Sequence, residues 1–171
     1  MNMVPSFTTL RSFLSYQFTV LRMRALRDRF WEKLSGSQSE LKLFPGSGQP
    51  LSPGRRLLGL KTIRVDQITG SLNRNADFDH QFRPLMKHVL NRWVNAYILH
   101  ERDSWSPIIV HKVGDQYFVE DGHHRVSVAR ALGMDFMEAT VWEHSTRSQP
   151  WPVCPGSKST EKSSAKAYVT G

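Results

Sequence analysis

Apolar residues recur at roughly helical spacing early in the chain: Leu10, Phe13, Leu14, Phe18, Leu21, Ala25 and Trp31. Arg11, Arg22, Arg24 and Arg29 fall among the other positions, which predicts an amphipathic basic helix over 8–34. From Ser35 to Gly54 the chain reads SGSQSELKLFPGSGQPLSPG, and this density of Ser, Gly and Pro predicts a linker or long irregular loop over 35–56. The stretch LKTIRVDQI, Leu60 to Ile68, alternates in part and predicts a short strand leading into a turn at Thr69-Gly70-Ser71. After a polar loop from Asn73 to Asp79, Phe82, Leu85, Met86, Val89, Leu90, Trp93, Tyr97 and Ile98 stand three and four apart. They predict a helix with one buried face, with Pro84 tolerable near its first turn.

Beyond that helix the period changes. Ser106 to Lys112 and Tyr117 to Glu120 read as two strands joined by the turn Val113-Gly114-Asp115-Gln116, a hairpin. Asp121-Gly122 interrupts it, His123 to Leu132 reads as a helix ending at Gly133, and Phe136 to Trp142 alternates as a last strand. The pattern therefore predicts a mixed α/β (α+β) domain over 57–144: a small mixed sheet with packed helices, preceded by the N-terminal basic helix. Residues 145–171, rich in Ser, Pro, Lys and Thr, are expected to form a flexible tail.

A chain of 171 residues suits one core with loosely held flanks. Its net charge of +8 is unevenly spread. Residues 1–60 hold nine Lys or Arg against three acids, 9 − 3 = +6, while 61–147 hold 11 of each sign. The basic flanks favour polyanionic partners. On the first helix, Arg22, Arg24, Arg27 and Arg29 are candidates for DNA phosphate contact without base readout, as are Lys158, Lys162 and Lys166 in the tail. A solvated face packing on its own domain, membrane-surface contact and a protein partner docking on this helix are the competing readings. The single cysteine, Cys154, excludes a disulfide framework and a paired-thiol zinc site and fits a reducing compartment. Apolar runs fall short of the roughly 18 to 20 residues of a membrane span, and Met1 to Leu10 lacks the order of a secretory signal, so a soluble cytoplasmic protein is expected.

The chemistry concentrates in Glu120 to Arg125, Glu-Asp-Gly-His-His-Arg, where a strand meets a helix. Gly122 permits close backbone approach, and the helix start offers unpaired N–H groups with a partial positive charge, a favourable place for phosphate or carboxylate. Arg125 can clamp an anion, and His123 and His124 add donors whose charge varies near neutral pH. The alternative is a helix capped by Asp121 with both histidines exposed beside it. A zinc site is disfavoured, because adjacent histidines diverge on a helix and no other Cys or His has the usual spacing. His80, His88, His111 and His144 are expected at the surface or locally bonded.

From Pro107 to Glu143 the chain resembles the N-terminal domain shared by ParB-like proteins and sulfiredoxin. The resemblance is carried by the hairpin, the Gly-x-x-Arg turn of Gly122 and Arg125, and Val128, Ala129, Leu132 and Gly133. Upstream, Ile68 to Phe82, with Gly70-Ser71, Arg74 and Asp77-Phe78, resembles that domain's first box. The resemblance implies a nucleotide triphosphate, CTP or ATP, held by Gly122, His123, His124, Arg125 and Arg74, with Glu120 or Asp121 placing magnesium. His123 stands where sulfiredoxin has its nucleophilic cysteine and where partitioning ParB has a glutamate, which disfavours sulfinic-acid repair and metal-dependent CTP hydrolysis. Partitioning ParB proteins continue into helix-turn-helix and dimerisation domains, whereas 28 Ser- and Lys-rich residues follow Glu143 here, so a stand-alone version is expected. The leading expectation is a DNA-associated or regulatory nucleotide-binding module. The alternatives are a nuclease or NTPase, with Glu120, Asp121 or neutral His123 activating a water within about 3 Å, and a purely structural interaction protein.

Overall fold

The computed structural model describes residues 7–36, 40–45 and 55–144. The rest of the expected linker, the tail with Cys154 and its three lysines lie outside the described residues. Three helices, α1 (Phe7–Ser35), α2 (Leu90–His100) and α3 (His123–Ala131), accompany six strands: β1 (Lys42–Leu43), β2 (Arg55–Arg64), β3 (Ile68–Ser71), β4 (Ile108–Val113), β5 (Gln116–Asp121) and β6 (Phe136–His144). The strands form one mixed sheet in the order β1-β3-β5-β4-β6-β2. Pairs β4–β5 and β2–β6 are antiparallel, and pairs β1–β3, β3–β5 and β4–β6 are parallel. The mixed α/β class follows from the sequence pattern as expected.

The core has two compartments. Ile108, Val110, Val119, Ala139 and Val141 turn one face of the sheet toward Val126 and Ala129 of α3. Leu14 and Phe18 of α1 pack with Trp93 and Val94 of α2 and Val128 of α3 in the second. Phe18 and Trp93 meet edge to face at 5.9 Å, and Trp93 Nε1 donates to Ser127 Oγ at 3.1 Å, which ties α2 to α3. A buried indole with its N–H satisfied contributes area without an unpaired donor.

Four details differ from the sequence pattern. Thr69-Gly70-Ser71 belongs to β3 and makes no turn. A Cβ on Gly70 would stand 2.5 Å from the Lys42 carbonyl oxygen and from the Phe118 ring, so the glycine serves close strand packing. Part of the expected linker joins the sheet: Lys42 and Leu43 pair with Gly70 and Ser71, flanked by buried Leu41 and Phe44, and β2 begins at Arg55. The second helix begins only at Leu90, after a 3-10 turn at Lys87–Val89. Pro84 disfavours helical backbone at Arg83, and Phe82 holds a φ of 56°, so 82–86 buries Phe82 and Leu85 from an irregular loop. Finally, Phe13 and Trp31, expected on the inner face of α1, are exposed.

That loop is pinned to α1. Asp79, buried, accepts N–H bonds from Gln81 and Arg83 and pairs with Arg83 Nε at 2.7 Å; Arg83 NH1 reaches Asp28 of α1 at 2.7 Å. Arg83 chiefly, then Arg27, holds the Asp28 carboxyl below its usual range.

Candidate functional site

β3 and β5 are parallel neighbours, so their carboxyl ends open at the same edge of the sheet. Such a crevice beyond parallel strand ends is a recurrent ligand position in α/β sheets. There the chain places together the two stretches singled out in the sequence. Ser71, at the end of β3, accepts hydrogen bonds from the N–H groups of Asn73 (3.2 Å) and Arg74 (2.9 Å). Both hydroxyl lone pairs are then occupied, and the hydroxyl proton is donated to His123 Nε2 at 2.7 Å. Neutral His123 therefore carries its own proton on Nδ1. Phe78 stacks on the His123 ring at 6.2 Å and meets His124 edge-on at 5.6 Å.

Gly122 forms the hinge between β5 and α3 with φ 104° and ψ 17°, a left-handed conformation. A Cβ there would also overlap the Ile108 side chain. Glycine is thus required twice, by backbone conformation and by packing. No side chain caps α3, and its first turn carries no acid, so Asp121 is not the helix cap. The first-turn N–H groups stay available to an anion.

A cavity of about 520 Å³ opens here, lined by the first turn of α3, by Asn73 and Arg74 after β3, by Arg92 and Asn95 of α2, and by Trp105 and Ser106 before β4. The volume lies in the range of small-molecule sites. Burial first and then the Arg74 cation lower both His123 and His124 to a pKa of about 4; His124 is lowered further by Arg92. Both rings are neutral at pH 7, and His124 Nε2 is buried without a hydrogen-bond partner.

The expected site residues divide. Gly122, His123, His124, Arg125 and Arg74 all line the cavity, as do Glu120 and Asp121, and the division lies in their partners. Arg74 also pairs with Asp77 at 3.0 Å. Arg125 is tied down: one terminal nitrogen donates to the carbonyls of Ser106 and Pro107 and to Ser106 Oγ, the other to Asp121 at 2.7 Å. Glu120 and Asp121 do not converge, as adjacent strand residues point apart. Glu120 accepts from His111 Nε2 at 2.6 Å while Asp121 turns to Arg125. Among the described residues no group of three or more His, Cys, Asp or Glu is arranged for a metal ion. The three candidate bases are likewise separated by their partners.

The arginines proposed for DNA are engaged in the fold. Arg22 donates to the Leu85 carbonyl at 2.8 Å, Arg27 pairs with Asp28 and Arg29 with Glu40, whereas Arg24 is exposed. Of the remaining histidines, His88 is exposed and 3.3 Å from Asp77, and His80 has a buried Nδ1 without a partner. His111 and His144 are buried and bonded to each other at 2.6 Å under Phe44.

Two contributors escaped the sequence reading. Arg92, Asn95 and Leu99 recur on one face of α2 at helical spacing and all reach the cavity, a signal masked by the apolar positions around them. Ser71 was read as a turn residue. No family model, curated protein or solved structure matches the chain.

Proposed function

We propose that the cavity at the start of α3 binds the phosphate groups of a nucleotide, as in the ParB-like modules that the Gly122 to Arg125 turn resembles. The carrying observation is the convergence of the uncapped first turn of α3 with the Arg74 and Arg92 guanidinium groups on one cavity. Backbone N–H groups and guanidinium forks suit phosphate. Arg92 makes no ion pair with any described residue, so it is free to meet a ligand oxygen. Magnesium, if present, would arrive on the phosphates of CTP or ATP with its waters, since Glu120 and Asp121 are committed elsewhere.

The same commitments favour binding over hydrolysis. A base must reach the attacking water with a free lone pair, and His123 Nε2 is occupied by the Ser71 proton. We therefore infer a nucleotide-binding regulatory module. Isothermal titration of the full chain with CTP, ATP and GTP, with and without magnesium, tests this. Saturable heat with at least one nucleotide, weakened about tenfold or more by Arg92→Ala, is expected, one lost charge-assisted contact costing about 1.5 to 3 kcal/mol. No heat with any nucleotide, or binding indifferent to Arg92→Ala and Arg74→Ala, sinks the reading.

A further inference from the structure

The inner face of α1 is covered by α2, yet its outer face is apolar too. Phe13, Tyr16, Met23, Phe30 and Leu34 are between 54 and 66% exposed. With Val20 and Arg27 they form the series 13, 16, 20, 23, 27, 30, 34, in which steps of three and four alternate without a break. That is a heptad seam, with Phe13, Val20, Arg27 and Leu34 at one core position and Tyr16, Met23 and Phe30 at the other. It runs along the helix for about 32 Å, at 1.5 Å per residue. The inner-face set of Leu10, Leu14, Phe18, Leu21 and Ala25 is separate. A helix apolar on two sides in water has a second face to cover.

We propose that the outer seam of α1 pairs with the same seam of a second copy of this chain, antiparallel, as a two-helix coiled coil across a twofold axis. The seam complements itself in this direction. In antiparallel register Phe13 faces Phe30 of the second copy, Val20 faces Met23, and Arg27 faces Tyr16, so the one charge in the seam lies against an aromatic ring. Parallel pairing would stack Arg27 on its own copy, two like charges in a core layer. The flanking positions agree, since Arg24 then lies beside Gln17, Leu26 beside Thr19 and Lys33 beside Ser12, with no like charges opposed. Arg27 now pairs with Asp28 in an exposed contact at 2.9 Å, an interaction weak enough to exchange. A lipid surface would draw on a broad apolar face with cations at its edges and gains nothing from strict three-four alternation. DNA is disfavoured because the seam holds one cation among seven residues. Twofold closure makes each contact occur twice and ends the assembly at a dimer.

Sedimentation equilibrium of the full chain is expected to report twice the 19.6 kDa chain mass, falling to the monomer as concentration drops. Met23→Glu, an exposed substitution in the central layer, should yield a monomer with unchanged circular dichroism and a melting temperature that no longer rises with chain concentration. Orientation is read in a Cys154→Ser background. Mixing Phe13→Cys with Phe30→Cys chains should give a crosslinked heterodimer in far greater yield than either alone. A chain monomeric up to its solubility limit overturns the proposal, as does a dimer that survives Met23→Glu or Phe13→Cys chains that crosslink mainly with themselves. A monomer whose α1 instead binds anionic vesicles or duplex DNA overturns it in favour of those partners.

Discussion

The Ser71 hydroxyl lies 2.7 Å from His123 Nε2 and joins two stretches separated by 52 residues. One oxygen collects the N–H groups of Asn73 and Arg74 and passes its own proton to the imidazole. Ser71→Ala removes all three bonds at once from a buried position. We expect a loss of about 2 to 4 kcal/mol in urea denaturation, because groups left unsatisfied cost about 1 to 3 kcal/mol each and Asn73 regains water. Ser71→Thr, which keeps the hydroxyl, should lose less. A variant within about 0.5 kcal/mol of the parent, the scatter of ordinary surface changes, would show that Ser71 does not organise this junction.

The two neutral histidines set a pH dependence. Burial and the arginines hold their folded pKa at about 4, below the ordinary 6.5. The unfolded chain therefore takes up protons first as pH falls. The stability difference is fully present above pH 6.5 and is lost progressively between 6.5 and about 4. His123, the more deeply buried, accounts for at most about 3 kcal/mol at 1.36 kcal/mol per unit. His124, more open to solvent, accounts for less. Stability of His123→Gln followed from pH 7 to pH 4 should show a shallower slope than the parent. Equal slopes would place the dependence elsewhere.

Gly122 and Gly133 provide a matched pair. Both have positive φ, 104° and 70°, but a Cβ meets the Ile108 side chain at Gly122 and open space at Gly133. Gly133→Ala should cost about 1 to 2 kcal/mol, the price of left-handed backbone alone. Gly122→Ala adds overpacking of a filled core and should exceed it by a further 1 to 3 kcal/mol or so. Thermal melts of the two variants decide this. Equal losses would mean that Ile108 yields to the added methyl.

Local signals in the sequence located α1, the β4–β5 hairpin, α3 and β6, because each carries its own period and its own breaker: Gly36, Gly114, Gly122, Gly133. Where burial depends on partners far along the chain, the local reading failed. Gly70 resembles a turn residue until Lys42 and Phe118 are known to flank it. The apolar spacing from Phe82 to Ile98 is helical throughout, yet Asp79 and Pro84 hold its first part as a loop. Of the candidate site, the turn and its two histidines were legible as a run of six residues. The commitment of Glu120 to His111, 9 residues away, and of Arg125 to Ser106, 19 away, was not, because a hydrogen-bond partner leaves no periodic trace.

The strand order has a consequence for how the molecule assembles. β1 and β2 are consecutive in the chain but occupy opposite edges of the sheet, and β2 has β6 as its neighbour. While the chain is being synthesised from its amino end, β2 waits for Phe136 to His144 before it finds any strand to zip against. β1 and β3 can pair with each other over two residues only, until β5 is made beside β3. The β4–β5 hairpin, closed by two residues, is the piece that can form unaided, and the parallel ladders on either side of it accrete outward. Nucleation thus falls to the carboxyl-terminal half, and loss of the last strand would leave the longest edge of the early chain as an open template for intermolecular pairing.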